Sequence, residues 1–119
     1  MGAIKKMSKP DFQILAGSAG FLLPAMTMGA VGGILALANI LPEKCISIYE
    51  DFTGGNLQNA QRSQLEIISI NTAVTRKWGV PALKAAMDIK GLYGGAARKP
   101  MQATNEEIKR HLIKLMDEI

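Results

Sequence analysis

Cysteine and histidine are the side chains most often used for nucleophilic catalysis and metal binding, and this chain has one of each. Cys45 and His111 are too few for a zinc site, which needs three or four such ligands. Cys45 lies in a segment with helical spacing of apolar residues, where a buried and unreactive thiol is expected. A single cysteine also excludes an intramolecular disulfide, which favours a reducing compartment. Neither a metal nor a cofactor is predicted.

Two short apolar segments, each closed by a turn-prone residue, are typical of buried parallel strands whose carboxyl ends could form a site. The first is Phe12–Ala16, which is halted by Gly17, and the second is Gly32–Asn39. Between them, Phe21–Met28 predicts a short helix, because Pro24 is tolerated in a first turn. The order strand, helix, strand predicts an α/β fold with a parallel sheet.

The rest of the chain is predicted to be helical, so most residues are expected in helices. Residues 2–8 look like the end of a helix, and residues 91–103 are expected to be irregular. Thr104 and Glu107 match a capping box at the start of the last helix. The predicted helices of the second half are Pro42–Phe52, Asn56–Trp78, Pro81–Lys90 and Thr104–Ile119.

Length and charge limit the possible functions. A chain of 119 residues has room for one domain of ordinary size. The net charge is +4, but the basic residues are scattered among acidic ones, and only Lys5, Lys6 and Lys9 cluster. The six aromatic residues are not interleaved with basic runs, as they would be in a platform for stacking bases. No nucleic-acid partner is predicted.

A membrane segment is an alternative, because no charged side chain occurs from Phe12 to Leu41. Five glycines and Pro24 interrupt this run, unlike a continuous helix of about 20 residues. The expectation is therefore that the chain does not enter a membrane, and a small membrane protein built on residues 12–41 is kept as the alternative.

Several segments in the same order along the chain resemble the dihydrodipicolinate synthase and N-acetylneuraminate lyase family. They are GSAG after the first strand, GGILALAN in the second and RKPM at Arg98–Met101. The longer segments FQILAGSAG, VGGILALAN and NTAVTRKWGVPALK look closest to the 4-hydroxy-2-oxoglutarate aldolase branch. Each segment is short, but together they are spread over nearly the whole chain.

The resemblance implies a (β/α)8 TIM barrel followed by a helical extension, of which this chain matches the C-terminal part. Residues 1–40 would be the last two βα units, with strands seven and eight, and residues 41–119 the final barrel helix and the extension. A complete barrel of this type needs about 250 residues. The implied fold is therefore an α/β fragment that is mostly helical.

The implied activity is that of a class I aldolase, in which a lysine forms a Schiff base with pyruvate. The parent reaction would cleave 4-hydroxy-2-oxoglutarate to pyruvate and glyoxylate. In the family this lysine ends the sixth strand, about 25 residues before the position that Gly17 matches, so it would precede Met1. Lys5 and Lys6 match the sixth helix instead, and Lys84 and Lys90 are read as solvated helix lysines. No catalytic residue is therefore predicted, and the chain is expected to be inactive alone.

Three positions are predicted, by the resemblance, to bind substrate in the parent enzyme. Gly17 and Ser18 match the end of strand seven, which lines the pocket for the distal part of the substrate. Ile34 matches the strand-eight residue whose backbone carbonyl lies beside the lysine. Arg98 and Pro100 match a segment that ties the last helices to the barrel.

The partners implied for the parent enzyme are pyruvate and a small oxo-acid. Two strands without a barrel have open edges, so a homo-oligomer, or association with a full-length homologue as a regulatory or interaction subunit, is a second hypothesis. The resemblance places the protein in the mitochondrion or the cytoplasm and does not decide between them.

Overall fold

The computed structural model describes residues 1–119, which form seven helices and a small parallel sheet. The order β1, α2, β2 confirms the predicted strand, helix and strand, and the second half is helical as expected. The strands are β1 (Leu15–Ala16) and β2 (Gly32–Gly33), and the helices are α1 (Gly2–Met7), α2 (Leu22–Thr27), α3 (Pro42–Thr53), α4 (Leu57–Glu66), α5 (Ile68–Thr72), α6 (Gly79–Ile89) and α7 (Glu106–Asp117).

The sheet has two strands that run parallel, with Leu15 opposite Gly32 and Ala16 opposite Gly33. Hydrogen bonds of 2.9 Å from the Val31 amide to the Ile14 carbonyl and from the Ile34 amide to the Ala16 carbonyl flank this pairing. Parallel strands need a crossover, and α2 supplies it.

Both predicted strands were too long. Phe12 lies outside β1, and its side chain is 57% exposed. The second strand ends at Gly33, and Ala36–Asn39 forms a 3-10 turn instead of continuing it. The reason is that β1 has ended, so residues beyond Ile34 have no strand opposite them. Their backbone groups are satisfied locally, as in the 3.0 Å bond from the Ile40 amide to the Leu37 carbonyl.

The predicted helix Asn56–Trp78 is broken into three parts. It comprises α4, α5 and a π-helical turn at Ala73–Lys77. Leu57, Leu65 and Ile68, apolar residues with an approximately helical spacing, are exposed. The buried face is instead formed by Ala60, Gln64, Ile67, Ile70, Asn71, Ala73 and Val74.

The capping box predicted at the start of α7 is absent. Asn105 caps this helix, because its Oδ1 atom accepts a hydrogen bond of 2.9 Å from the Ile108 amide. The helix therefore begins at Glu106, later than predicted.

The core lies between α2, the 3-10 turn at 36–39 and the later helices, whereas one side of the sheet is bare. Leu15 and Ile34 are 49% and 75% exposed. The radius of gyration is 15.5 Å, against about 13.5 Å for a compact chain of this length. The largest fully buried side chains are Leu22, Leu37, Ile40, Ile48, Ile67, Ile70, Val74 and Leu112.

The uncharged run from Phe12 to Leu41 contains no long helix. Its longest helix is α2, with six residues. None of the helices in the protein combines the length and the apolar character needed to cross a membrane.

Candidate functional site

The carboxyl end of β1 opens into a short turn that leads to α2. Gly17 and Ser18 follow the strand, and Ser18 precedes the 3-10 turn Ala19–Phe21. The Ser18 Oγ atom accepts a hydrogen bond of 3.3 Å from the Gly20 amide. A Cβ atom added to Gly17 would have no heavy atom within 4 Å, so the space at this strand end is open. Binding sites of parallel α/β folds lie at such strand ends.

Ile34 lies at the same end of the sheet. Its amide donates a hydrogen bond of 2.9 Å to the carbonyl of Ala16, the residue before Gly17. The structure therefore brings the three sequence-predicted residues Gly17, Ser18 and Ile34 to one edge. Their contact with a substrate remains a prediction.

Gln64, on α4, is a buried polar residue at this site that the sequence reading missed. Its side chain is 5% exposed. The Nε2 atom donates to the Ala19 carbonyl at 2.9 Å, and the Oε1 atom accepts from the Leu23 amide at 2.9 Å. One amide side chain thus satisfies both a carbonyl and an amide of the segment that follows β1.

Asn71, on α5, is the second buried polar residue that was missed. It is 5% exposed, and its Nδ2 atom donates to Ser18 Oγ at 3.2 Å. Its Oδ1 atom is buried without a hydrogen-bond partner. A Cβ atom on Gly20 would lie 2.7 Å from Asn71 Nδ2, so a larger residue at this position would displace the Asn71 side chain.

A signal for these two residues is present in the sequence. The buried positions Ala60, Gln64, Ile67, Asn71 and Val74 follow the helical spacing of four and three residues. Two amides seven residues apart within such an apolar stripe indicate polar groups that have partners in the core.

Lys84 and Lys90 bond to backbone carbonyls that lie outside the two strands. Lys84 Nζ donates to the Gly94 carbonyl at 2.6 Å, and Lys90 Nζ donates to the Ile40 carbonyl at 2.5 Å. Lys84 and Lys90 are therefore held by backbone carbonyls. The sequence had instead suggested that both side chains are freely solvated. Lys5 lies on α1, with its side chain along Gly29.

An apolar cavity of about 430 Å³ lies beside the sheet, between β1, β2 and α3. Leu15, Leu35, Ile46 and Tyr49 contribute to its wall, which contains no lysine and no carboxylate. Ile46 and Tyr49 have helical spacing on α3, but they are 53% and 42% exposed, whereas Cys45 and Ile48 are buried. Helix α3 therefore has a second apolar side that nothing in these 119 residues covers.

Cys45 and His111 are not part of one site. Cys45 is buried in α3, and His111 lies on α7 with its ring 5.5 Å from the ring of Trp78. No group of three or more histidine, cysteine, aspartate or glutamate side chains is placed to hold a metal ion.

Cys45 is expected to react slowly with thiol reagents. Burial, with a smaller effect from the charge of Glu43, raises the pKa of the thiol above its ordinary value of 9.0. Because the thiolate is the reactive form, alkylation at pH 8 should be roughly tenfold or more slower in the folded chain than in urea. Equal alkylation rates with and without urea would contradict this expectation.

The raised pKa of the Cys45 thiol has a second consequence. Because the folded chain holds the thiol proton more tightly than the unfolded chain, the free energy of unfolding falls as the pH rises above 9.0.

A family model, that of the dihydrodipicolinate synthetase family, matches residues 1–119. The 4-hydroxy-tetrahydrodipicolinate synthase of Acetivibrio thermocellus is 29% identical over 117 residues, which are 96% of this chain and 40% of that enzyme. The chain thus spans about two fifths of the length of this relative.

Two solved structures share the fold. The dihydrodipicolinate synthase of Bacillus anthracis matches with a TM-score of 0.91 and 24% identity, over 100% of this chain and 41% of that one. The N-acetylneuraminate lyase of Fusobacterium nucleatum, solved as a complex with pyruvate, matches with a TM-score of 0.85 and 23% identity, over 98% of this chain and 40% of that one. At these identities the likeness shows the fold alone.

Proposed function

This chain belongs to the dihydrodipicolinate synthetase family, and we propose that it supplies the last two βα units and the helical extension of a Schiff-base-forming aldolase or lyase barrel. Residues 1–40 are the two units and residues 41–119 are the final barrel helix with the extension. The observation that carries the proposal is the parallel pair β1 and β2, with the open Gly17–Ser18 turn at its carboxyl end. Active sites of (β/α)8 barrels are built at this end.

The site residues have distinct roles in this proposal. Gly17 leaves room for the distal part of the substrate, because a Cβ atom there would project into open space. Ser18 offers its hydroxyl group to a polar atom of the substrate. Ile34 contributes its backbone carbonyl, since its amide is already bonded to Ala16.

The proposed substrates are pyruvate and a small oxo-acid. Support for pyruvate comes from the Fusobacterium nucleatum lyase, which was solved with it. The finer choice of 4-hydroxy-2-oxoglutarate rests only on the segments FQILAGSAG, VGGILALAN and NTAVTRKWGVPALK. The relatives reported above are dihydrodipicolinate synthases and an N-acetylneuraminate lyase, so they give no support to that choice.

These 119 residues are proposed to be inactive by themselves. Imine formation needs an amine that reaches the keto carbon of pyruvate, and activation of such a lysine needs an apolar or cationic pocket. The apolar cavity contains no lysine, and Lys84 and Lys90 donate to backbone carbonyls elsewhere. Neither Lys84 nor Lys90 is therefore proposed to form the imine.

A polypeptide that carries the first six βα units is the proposed partner. Each strand of the sheet is paired on one side only, which leaves two rows of backbone groups free for another strand. Leu15 and Ile34 are exposed, and Leu15 also contributes to the wall of the apolar cavity. In the relatives, the part of the enzyme beyond the matched two fifths is long enough to form the first six βα units.

The test is borohydride trapping with pyruvate, read by intact-mass spectrometry. The 119-residue chain should give no adduct. A chimera is made by joining the part of the Acetivibrio thermocellus enzyme that precedes the matched region to this chain. The chimera should give one adduct. The adduct should map to a lysine outside these 119 residues. An adduct on the chain alone would overturn the proposed inactivity, and a folded chimera without an adduct would overturn the proposed function.

A further inference from the structure

We propose that Gln64 and Asn71 are positioning residues, through which the helical extension holds the Gly17–Gly20 turn in its substrate-binding conformation. The inference rests on the proposed function, in which this turn binds the distal part of the substrate. It assigns a role in substrate binding to two residues of the extension, which lie outside the barrel units.

Gln64 fixes the backbone of the turn from one side. Its amide group bonds to the Ala19 carbonyl and to the Leu23 amide, both at 2.9 Å, so it spans the end of the turn and the start of α2. No other side chain hydrogen bonds to these two backbone groups. Because Gln64 is 5% exposed, water does not compete readily for these bonds.

Asn71 fixes the side chain of Ser18 from the same helical face. Ser18 Oγ accepts from Asn71 Nδ2 at 3.2 Å and from the Gly20 amide at 3.3 Å. A hydroxyl oxygen has two lone pairs, so both are occupied, and the hydroxyl hydrogen remains to be donated. Asn71 thereby makes Ser18 a donor, which suits a carboxylate, carbonyl or hydroxyl oxygen of an oxo-acid.

The spacing of the two residues explains how the consecutive helices α4 and α5 reach both parts of the turn. Gln64 and Asn71 are seven residues apart, which is about two helical turns, and both are buried against the segment after β1. The extension therefore determines the shape of the turn, whereas β1 determines where the turn begins.

The sharpest test is Gln64→Glu, because this substitution makes the hydrogen bonds from residue 64 to the turn depend on pH. A protonated carboxyl group can still donate to the Ala19 carbonyl and accept from the Leu23 amide, so the turn should keep its shape at low pH. An ionised carboxylate cannot donate, and it repels the Ala19 carbonyl oxygen. The turn should therefore be disordered at high pH in this variant only.

In the chimera, Gln64→Glu should raise the KM for the distal substrate at least ~10-fold at pH 8 and by less than ~2-fold at pH 5.5, each relative to the unsubstituted chimera. Trapping of pyruvate by borohydride should be unchanged, because pyruvate binds at the lysine. The matched control is Gln61→Glu, since Gln61 is exposed on the same helix. Asn71→Asp should also raise this KM relative to Asn59→Asp, because the Nδ2 donor is lost.

The outcomes separate the inference from the proposed function. A KM that does not change, or changes equally in Gln64→Glu and Gln61→Glu, overturns the inference while the proposed function stands. A chimera without a pyruvate adduct overturns the proposed function. In that case, hydrogen exchange of the Leu23 amide in the 119-residue chain tests the inference. At pH 8 this exchange should be at least ~10-fold faster in Gln64→Glu than in Gln61→Glu. Equal exchange rates overturn it.

Discussion

Replacement of Gly94 by alanine is expected to detach the 91–103 segment from α6 and to destabilise the chain by about 3 kcal/mol. Gly94 is buried against the helix backbone. An added Cβ atom would overlap the Lys84 carbonyl oxygen and lie 2.7 Å from the Lys84 carbonyl carbon. Backbone atoms in the middle of a helix cannot move aside, so the segment itself must move.

The same displacement would break two hydrogen bonds. The Gly94 amide donates to Asp88 Oδ1 at 2.8 Å, and its carbonyl accepts from Lys84 Nζ at 2.6 Å. Lys84 and Asp88 are four residues apart on α6, and they bond to the carbonyl and the amide of Gly94, respectively. This contact ties the irregular segment to α6.

Urea unfolding monitored by far-ultraviolet circular dichroism measures the loss of stability, and hydrogen exchange of residues 91–103 locates it. Gly17→Ala is the matched control, because a Cβ atom there meets no heavy atom within 4 Å and the backbone is not left-handed. We expect that control to change the free energy of unfolding by less than about 0.5 kcal/mol. Equal changes in the free energy of unfolding for Gly94→Ala and Gly17→Ala would show that the close approach at Gly94 does not itself destabilise an alanine at this position.

Leu112→Ala is expected to destabilise the chain by about 2 to 5 kcal/mol. Leu112 is the one fully buried side chain of α7, and its exposure is 0%. Its removal leaves a cavity between α7 and the core that the half-buried apolar side chains of α7, Ile108, Leu115 and Met116, cannot fill without a shift of the helix.

Leu65→Ala makes the same chemical change at a helical position that is 65% exposed. It should alter the free energy of unfolding by less than about 0.5 kcal/mol, because little apolar surface is buried there and alanine favours helices. Limited proteolysis should release α7 from Leu112→Ala before it cleaves elsewhere. Equal unfolding midpoints for Leu112→Ala and Leu65→Ala would show that α7 is not anchored by Leu112.

The sequence alone determined the order strand, helix, strand and the helical second half, because the signals for them are local. A short apolar run halted by Gly17, a proline at the start of α3 and the apolar periodicity of the later segments each depend on a few neighbouring residues. The resemblance to the dihydrodipicolinate synthase family also came from short segments in order, and the family match confirms it. Its finer assignment to one aldolase branch remains a prediction.

Only the tertiary structure decided which faces are buried and which backbone groups need a side chain. The strands end where their partner ends, which is why β2 stops at Gly33 although the apolar run continues to Asn39. Gln64 and Asn71 were overlooked because a polar residue in a helix is normally assigned to the solvent. They are buried because the turn after β1, more than 40 residues earlier in the chain, presents a carbonyl, an amide and a hydroxyl that must be hydrogen-bonded when water is excluded.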